Sequence, residues 1–378
     1  MSIESRIEEE IRKSGGRLNL DEVGKNHSEY LSLQLSRFRQ ATNFIVNQVP
    51  SIKYIEVDLI DNYTFNAFAK GEKGKYFIGI NRGLLATVSL IFSRLFGEKE
   101  FLPFIGDVNN EKDDLPLIGN VSPNFEATVD NLPIFDPPQD PMRRETARLF
   151  SWLAFDLILA HELGHIIRGH ADLYESKIDF HLDEIEIIKS NRAFKLERKT
   201  LEMDADMWAC NMLLTTELSR CLGKLGIPNE NWKWSYERPG VILLNFSLIV
   251  STVFKIFGDR RLEYELFEDQ LYPVARLRFV ISELRIADNP EFKEINKNIN
   301  FDLDKNGVPI NVRLAFDIIE NAFKKITGKE NDDISATEAR GILGQKQLNT
   351  LRTHWNEELI EKLKPFSHIR LEPMKLIK

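Results

Sequence analysis

Cysteine is nearly absent from this chain. Cys210 and Cys221 are its only two, too few for the disulfide framework of a small secreted domain, and a reducing compartment fits best. The N-terminal stretch Met1-Ser-Ile-Glu-Ser-Arg-Ile-Glu-Glu-Glu-Ile11 has no apolar core of a signal segment, so a cytoplasmic location is expected. Excess positive charge is missing too. The formal net charge is −8, and no basic patch or RNA- or DNA-binding motif appears, which sets nucleic acid aside as a partner. Long hydrophobic runs are scarce. The most apolar one, Val241 to Phe257, is interrupted by Asn245 and Lys255 and falls short of the roughly twenty residues a membrane span needs. A buried core helix is the expectation, without membrane association. There is no Gly-rich phosphate loop, no serine nucleophile elbow and no internal repeat.

What is present is an ordinary globular composition: 378 residues, 43% hydrophobic and 29% charged, enough for one elaborated domain or two. The chain divides on pattern into an N-terminal helical segment (1–50), a middle region (51–290) with a proline-rich insertion (97–141), and a C-terminal helical region (291–378). Seven of the fifteen prolines lie between Pro103 and Pro141, so regular structure is not expected there. Ile3, Ile7 and Ile11 give the first helix a narrow apolar stripe that would dock on the main body. A second helix is expected over about 29–49. Tyr54 to Ile60 and Tyr76 to Ile80 are rich in β-branched and aromatic residues on either side of the Lys70 to Gly74 turn, and read as antiparallel strands. Helices are expected over 84–96, 312–326, 336–343 and 348–363.

The densest chemistry lies at His161-Glu162-Leu163-Gly164-His165, inside the mostly apolar segment 150–171. Two histidines four residues apart share one helix face, so their imidazoles can converge on one cation. Glu162 sits about 100° round the same helix. This is the HExxH arrangement, in which two neutral imidazoles hold Zn²⁺ and a neighbouring carboxylate takes a proton from water. At this chain's histidine content chance supplies such a match in about one chain per hundred. The competing reading is a buried helix whose histidines are hydrogen-bonded core residues. Asp156 interrupts the apolar face without explanation.

A catalytic zinc site needs a third protein ligand and an open position. Thr200 to Thr215 also reads as helical, with Leu201, Ala205, Trp208, Ala209, Met212 and Leu213 on an apolar face. Glu202 and Asp206, four apart, can point the same way, Glu202 onto the metal and Asp206 onto the outer ring nitrogen of a histidine. Standing alone this pair would be a solvated acidic stripe; behind an HExxH helix the ligand reading is preferred. His170 reads as a cap or as a partner to a ligand, with a surface position as the alternative. A metzincin register fails, since it requires Gly at 168 and His at 171 where this chain has Arg168 and Ala171. Asp302-Leu-Asp304-Lys-Asn306-Gly307 begins like a calcium loop, but its twelfth position is Arg313 where a bidentate Glu belongs; it reads as a turn.

These residues resemble a family. Glu202-Met-Asp-Ala205-Asp206 is similar to the third-ligand motif E-x-x-A-D of gluzincin metallopeptidases, and His161 to His170 resembles the HExxHxxxxH of the CAAX prenyl endopeptidase branch. Asn66-Ala-Phe-Ala69 followed by Tyr76 to Leu85 resembles the segment and edge strand that precede that branch's active helix. Tyr272-Pro273 to Arg278 resembles its H-P-x-x-x-x-R segment, with Tyr in place of His, a substitution similar to Lit-like phage-exclusion proteases. The match covers roughly residues 55–285. It implies an α+β, mainly α, zincin-like fold with a small antiparallel sheet and added helices. It implies Zn²⁺ on His161, His165 and Glu202, with Glu162 as general base and Asp206 behind a ligand. Tyr272 would donate to an oxyanion and Arg278 would orient that region; packing beside a turn proline and a solvated helix face are the plain alternatives. Phe77, Ile78, Gly79 and Ile80 would lend an edge to an extended peptide. The expected activity is zinc-dependent endopeptidase action on a protein or peptide substrate. The alternatives are a phage-defence or toxin-type protease cleaving one host protein, and a catalytically silent metal-binding interaction protein. Oligomeric state is not legible.

Overall fold

A central strand with neighbours on both sides organises the small sheet of this fold. The structure is a computed structural model describing residues 3–118, 137–176, 192–259, 289–299, 310–328 and 342–374. Its helices are α1 (Ile3–Lys13), α2 (Lys25–Gln48), α3 (Arg82–Gly97), α4 (Pro141–Ile167), α5 (His170–Glu175), α6 (Arg192–Cys221), α7 (Pro239–Asp259), α8 (Pro290–Ile299), α9 (Ile310–Thr327), α10 (Ile342–His354) and α11 (Ile360–Leu363). Among the described residues the strands are β1 (Tyr54–Ile60), β2 (Ala67–Glu72) and β3 (Lys75–Asn81), in the order β1-β3-β2. The chain is mainly helical with a small mixed sheet, an α+β architecture.

Chain contacts divide these elements into two units: residues 1–85, 158–206 and 349–378, and residues 86–157 and 207–348. The first holds the sheet. β1 runs parallel to β3, pairing Val57 with Ile78, and β2 runs antiparallel to it, pairing Phe68 with Gly79. The expected antiparallel pairing of 54–60 with 76–80 is therefore incorrect, because β2 intervenes in sequence and takes the antiparallel place. The expected free edge at Phe77, Ile78, Gly79 and Ile80 is also incorrect, since β3 is hydrogen-bonded on both sides. Its residues explain why: Tyr76 to Asn81 are all buried, a continuous run suited to the middle of a sheet with both faces covered. β1 alternates between buried and more exposed positions along much of its length, as a flanking strand does. β2, whose second side has no strand partner among the described residues, is the antiparallel edge.

Gly79 is required by this arrangement. A Cβ there would lie 2.5 Å from the Phe68 ring on β2, so the glycine makes room for an aromatic lying across the central strand. The expected stripe of α1 docks nearby, Ile7 and Ile11 packing with Ile60, Phe68 and Phe77.

In the second unit, the described parts of the proline-rich segment, 97–118 and 137–141, form no ladder but are not unsupported. Arg143 of α4, fully buried, donates to the carbonyls of Phe96, Glu98, Phe101, Leu102 and Ile105 at 2.8–3.2 Å. One guanidinium thus gathers five backbone acceptors, two of which, Glu98 and Leu102, also accept from the Phe101 and Ile105 amides. Glu111 accepts from the Gln139 and Asp140 amides at 2.9 and 3.0 Å. Asp156, unexplained in the sequence, lies within the field of the buried pair Glu217 and Arg220. By length and composition α4 and α7 are each apolar enough to cross a membrane, and both are mostly buried within the protein. The calcium-like turn at 302–307 and most of the helix expected over 336–343 fall outside the described residues.

Candidate metal centre

Three helices supply the site, and one glycine sets their geometry. α4 is driven into the interior by Leu157, Ile158, Leu163, Ile166 and Ile167, all buried. It stops at Gly169, whose φ of +84° lies in the left-handed region that side chains disfavour. A Cβ at Gly169 would also lie 2.6 Å from the Ser367 amide nitrogen. The C-terminal segment presses against this corner, and the His368 amide donates to the Ile167 carbonyl at 2.9 Å, satisfying an acceptor that the helix end leaves open. From Gly169 the chain restarts as α5, which folds His170 back beside His165.

His161 and His165 stand one turn apart on α4, their Nε2 atoms 3.1 Å from each other. Glu202, on α6, reaches both: Oε2 lies 3.2 Å from His161 Nε2 and Oε1 3.7 Å from His165 Nε2. One donor atom from each of the three residues lies within 4.8 Å of the others. Asp206, one turn further along α6, places Oδ1 3.0 Å from His161 Nδ1. Glu162 is buried on α4 between the two histidines in sequence.

The outer hydrogen bonds decide which nitrogen of each ring is free. His161 Nδ1 faces a carboxylate and so carries a proton, leaving Nε2 as the lone-pair nitrogen of the neutral ring. His165 Nδ1 is 3.1 Å from His170 Nδ1, and His170 Nε2 is 3.1 Å from Asp204 Oδ2. His170 must donate to Asp204, so its Nδ1 accepts and His165 Nδ1 donates. His165 Nε2 is then also a lone pair. Two imidazole lone pairs and a carboxylate converge, with no proton donor among them when both rings are neutral. Glu202 Oε2 is buried without a hydrogen bond; its 3.2 Å approach to His161 Nε2 is an ion-pair distance that lacks hydrogen-bond geometry. The described residues His161, His165 and Glu202 could hold a metal ion.

Electrostatics run the same way. Burial opposes charge on His161, but Asp206 and then Glu202 outweigh it and raise the ring well above the ordinary histidine range. Burial likewise opposes the Glu202 carboxylate, and His165 and His161 hold it well below the ordinary range. Positive charge is what the pocket favours. His170 moves in the opposite sense: burial lowers it to about 4 against the pull of Asp204, so it is neutral at pH 7. Burial pushes Asp204 up, and Arg168 with His170 more than reverses this.

The structure thus brings together His161, His165, Glu202 and Asp206 and places Glu162 beside them in sequence. Tyr272 and Arg278 lie outside the described residues. Phe77 to Ile80 occupy the sheet centre. Asp204, Arg168 and the role of His170 were not read from the sequence as one unit, although a second acid in Glu202-Met-Asp204-Ala-Asp206 on an apolar helix was the available signal. Comparison with known protein families, curated proteins and solved structures finds no match to this chain.

Proposed function

We propose that the protein is a zinc-dependent endopeptidase of the gluzincin type, with His161, His165 and Glu202 holding the metal. The observation that carries this reading is the convergence of the Nε2 atoms of His161 and His165 with a buried Glu202 carboxylate oxygen that has no hydrogen bond. Two nitrogen donors and one oxygen donor make a set suited to Zn²⁺. Bound there, zinc supplies Lewis acidity that polarises a carbonyl and acidifies water.

The remaining work falls to the chain. Asp206 fixes the ring of His161, so that its Nε2 stays directed at the site. Glu162 accepts the proton of the attacking water and returns it to the departing amine, the task of a buried carboxylate next to the ligands. An extended peptide would pair with the side of β2, Ala67 to Glu72, that has no strand partner among the described residues, in place of the β3 edge expected from the sequence. Its main chain would supply the hydrogen bonds, which suits an enzyme acting on amide bonds.

Glu162→Gln tests the reading. The variant is expected to bind zinc at one equivalent and to lose cleavage by at least about a hundredfold, the range for removal of a general base. Cleavage at the wild-type rate would refute the role of Glu162. Wild-type protein that binds zinc yet generates no new N-termini in a protein mixture would favour the silent metal-binding alternative.

A further inference from the structure

The hydrogen bonds behind His165 do not end at His170. Asp204 Oδ2 accepts from His170, and the same carboxylate is held by Arg168 through Nε and Nη2, the Nη2 contact being 2.5 Å. This is a bidentate fork on a carboxylate that is almost fully buried. The Arg168 guanidinium in turn lies 5.1 Å above the ring of Trp355. That indole is completely buried, and its Nε1 donates to the Glu372 carbonyl at 3.1 Å. A continuous line therefore runs from the C-terminal segment to the back of a candidate ligand.

We propose that Arg168, Asp204 and His170 act together as a positioning device that holds His165 in its metal-binding tautomer, anchored at the far end on Trp355. The inference rests on His161, His165 and Glu202 being metal ligands, and it adds the outer residues that set how tightly the metal is held. Three observations support it. His170 has both ring nitrogens engaged and no exposed surface, so its tautomer is dictated by Asp204 and passed to His165. An ion pair made on a buried carboxylate, such as Arg168 with Asp204, is a poor source of stability compared with apolar packing. Its placement directly behind a ligand gives it a use in orientation. Finally, the left-handed turn at Gly169 is what lets His170 face His165 across only five residues of chain.

A purely structural role and a positioning role predict opposite orders for two substitutions at one site. His170→Phe keeps a ring of similar volume and removes the acceptor. His170→Asn shrinks the side chain, but its amide oxygen falls near the place of the imidazole Nδ1 and can accept from His165. Zinc affinity of the full chain, read by competition with a chromophoric chelator, is expected to fall about 10–100-fold for His170→Phe and to stay within about threefold for His170→Asn. Asp204→Asn, which removes the charge, should also weaken zinc about tenfold or more. In the cobalt-substituted protein, the visible bands should shift for His170→Phe and persist for His170→Asn. Equal affinities, or weaker binding by His170→Asn than by His170→Phe, would overturn the proposal.

Should the buried substitutions prevent folding, nitrogen spectra of zinc-loaded, ¹⁵N-histidine-labelled wild type decide the matter. The expected pattern is a proton on His165 Nδ1 and on His170 Nε2, with His170 Nδ1 bare. A proton on His170 Nδ1 would overturn the device. Wild type that binds no zinc would sink this inference and the proposed function together. Wild type that binds zinc but cleaves nothing would sink only the function, and the order of the two variants would still decide this inference.

Discussion

Tyr76 of the central strand donates its phenolic proton to Asp172 of α5 across 2.6 Å. The same oxygen lies 2.7 Å from His368 Nε2, and His368 Nδ1 lies 2.8 Å from Ser51 Oγ. The phenol has one proton and gives it to the carboxylate, so His368 must donate through Nε2 and accept from Ser51 through Nδ1. A neutral imidazole satisfies every member of the chain. It fastens the C-terminal segment to the sheet at the point where that segment also caps α4.

Acid should loosen this fastening. Burial lowers the pKa of His368, against the opposing influence of Asp172. A depressed histidine stabilises the fold above its ordinary value near 6.5, and the contribution is lost as pH falls towards the lower folded value. Asp172 acts in the other direction at lower pH, because burial raises its carboxyl. Between pH 7.5 and 5.5, wild type should therefore lose thermal stability that His368→Gln, which has no proton to gain, does not lose. The two melting curves compared across that range provide the measurement, and a constant difference between them would contradict the assignment.

Gly79 gives a second prediction. Its missing side chain leaves the space that the Phe68 ring fills, and a Cβ would come within 2.5 Å of that ring. Gly79→Ala should cost about 1–3 kcal/mol, the usual penalty of overpacking, visible as a lower urea midpoint with an unchanged slope. Combining it with Phe68→Leu should recover part of that loss, because the obstructing ring is removed. A neutral single substitution would mean that the ring turns aside without cost.

Much of this fold was legible because periodicity reports burial. Ile3, Ile7 and Ile11 marked the docking face of α1, and the HExxH helix and Glu202 with Asp206 followed from spacing at fours. The sheet was misread for a physical reason. Ala67-Phe-Ala-Lys-Gly-Glu72 is short, contains glycine and lacks β-branched residues, so propensity did not mark it as a strand, yet pairing with β3 makes it one. The edge reading of Phe77 to Ile80 came from the family resemblance, and the pairing of β2 with β3 overturns it. Their unbroken apolar run was the sign of a central strand. The chain behind His165 was hidden for another reason: it joins Arg168, His170, Asp204 and Trp355 from separate segments, and no local spacing encodes such a contact.

Metal binding should itself be a stability term. His161, His165 and Glu202 are brought together from α4 and α6 only in the folded chain, so a metal held by the three favours the native state. With free zinc at about a thousand times Kd, the gain is about 4 kcal/mol. Chelator-treated protein should melt well below zinc-loaded protein, and adding zinc should restore the difference. The imidazoles must release protons to bind, so acidification from pH 8 to 6 should narrow the gap between the two melting temperatures. Glu202→Gln removes the anionic ligand while keeping its shape, and should abolish most of the zinc response without a comparable fall in the stability of the chelator-treated form. If that variant responds to zinc as wild type does, the cation sits elsewhere and Glu202 is not among its ligands.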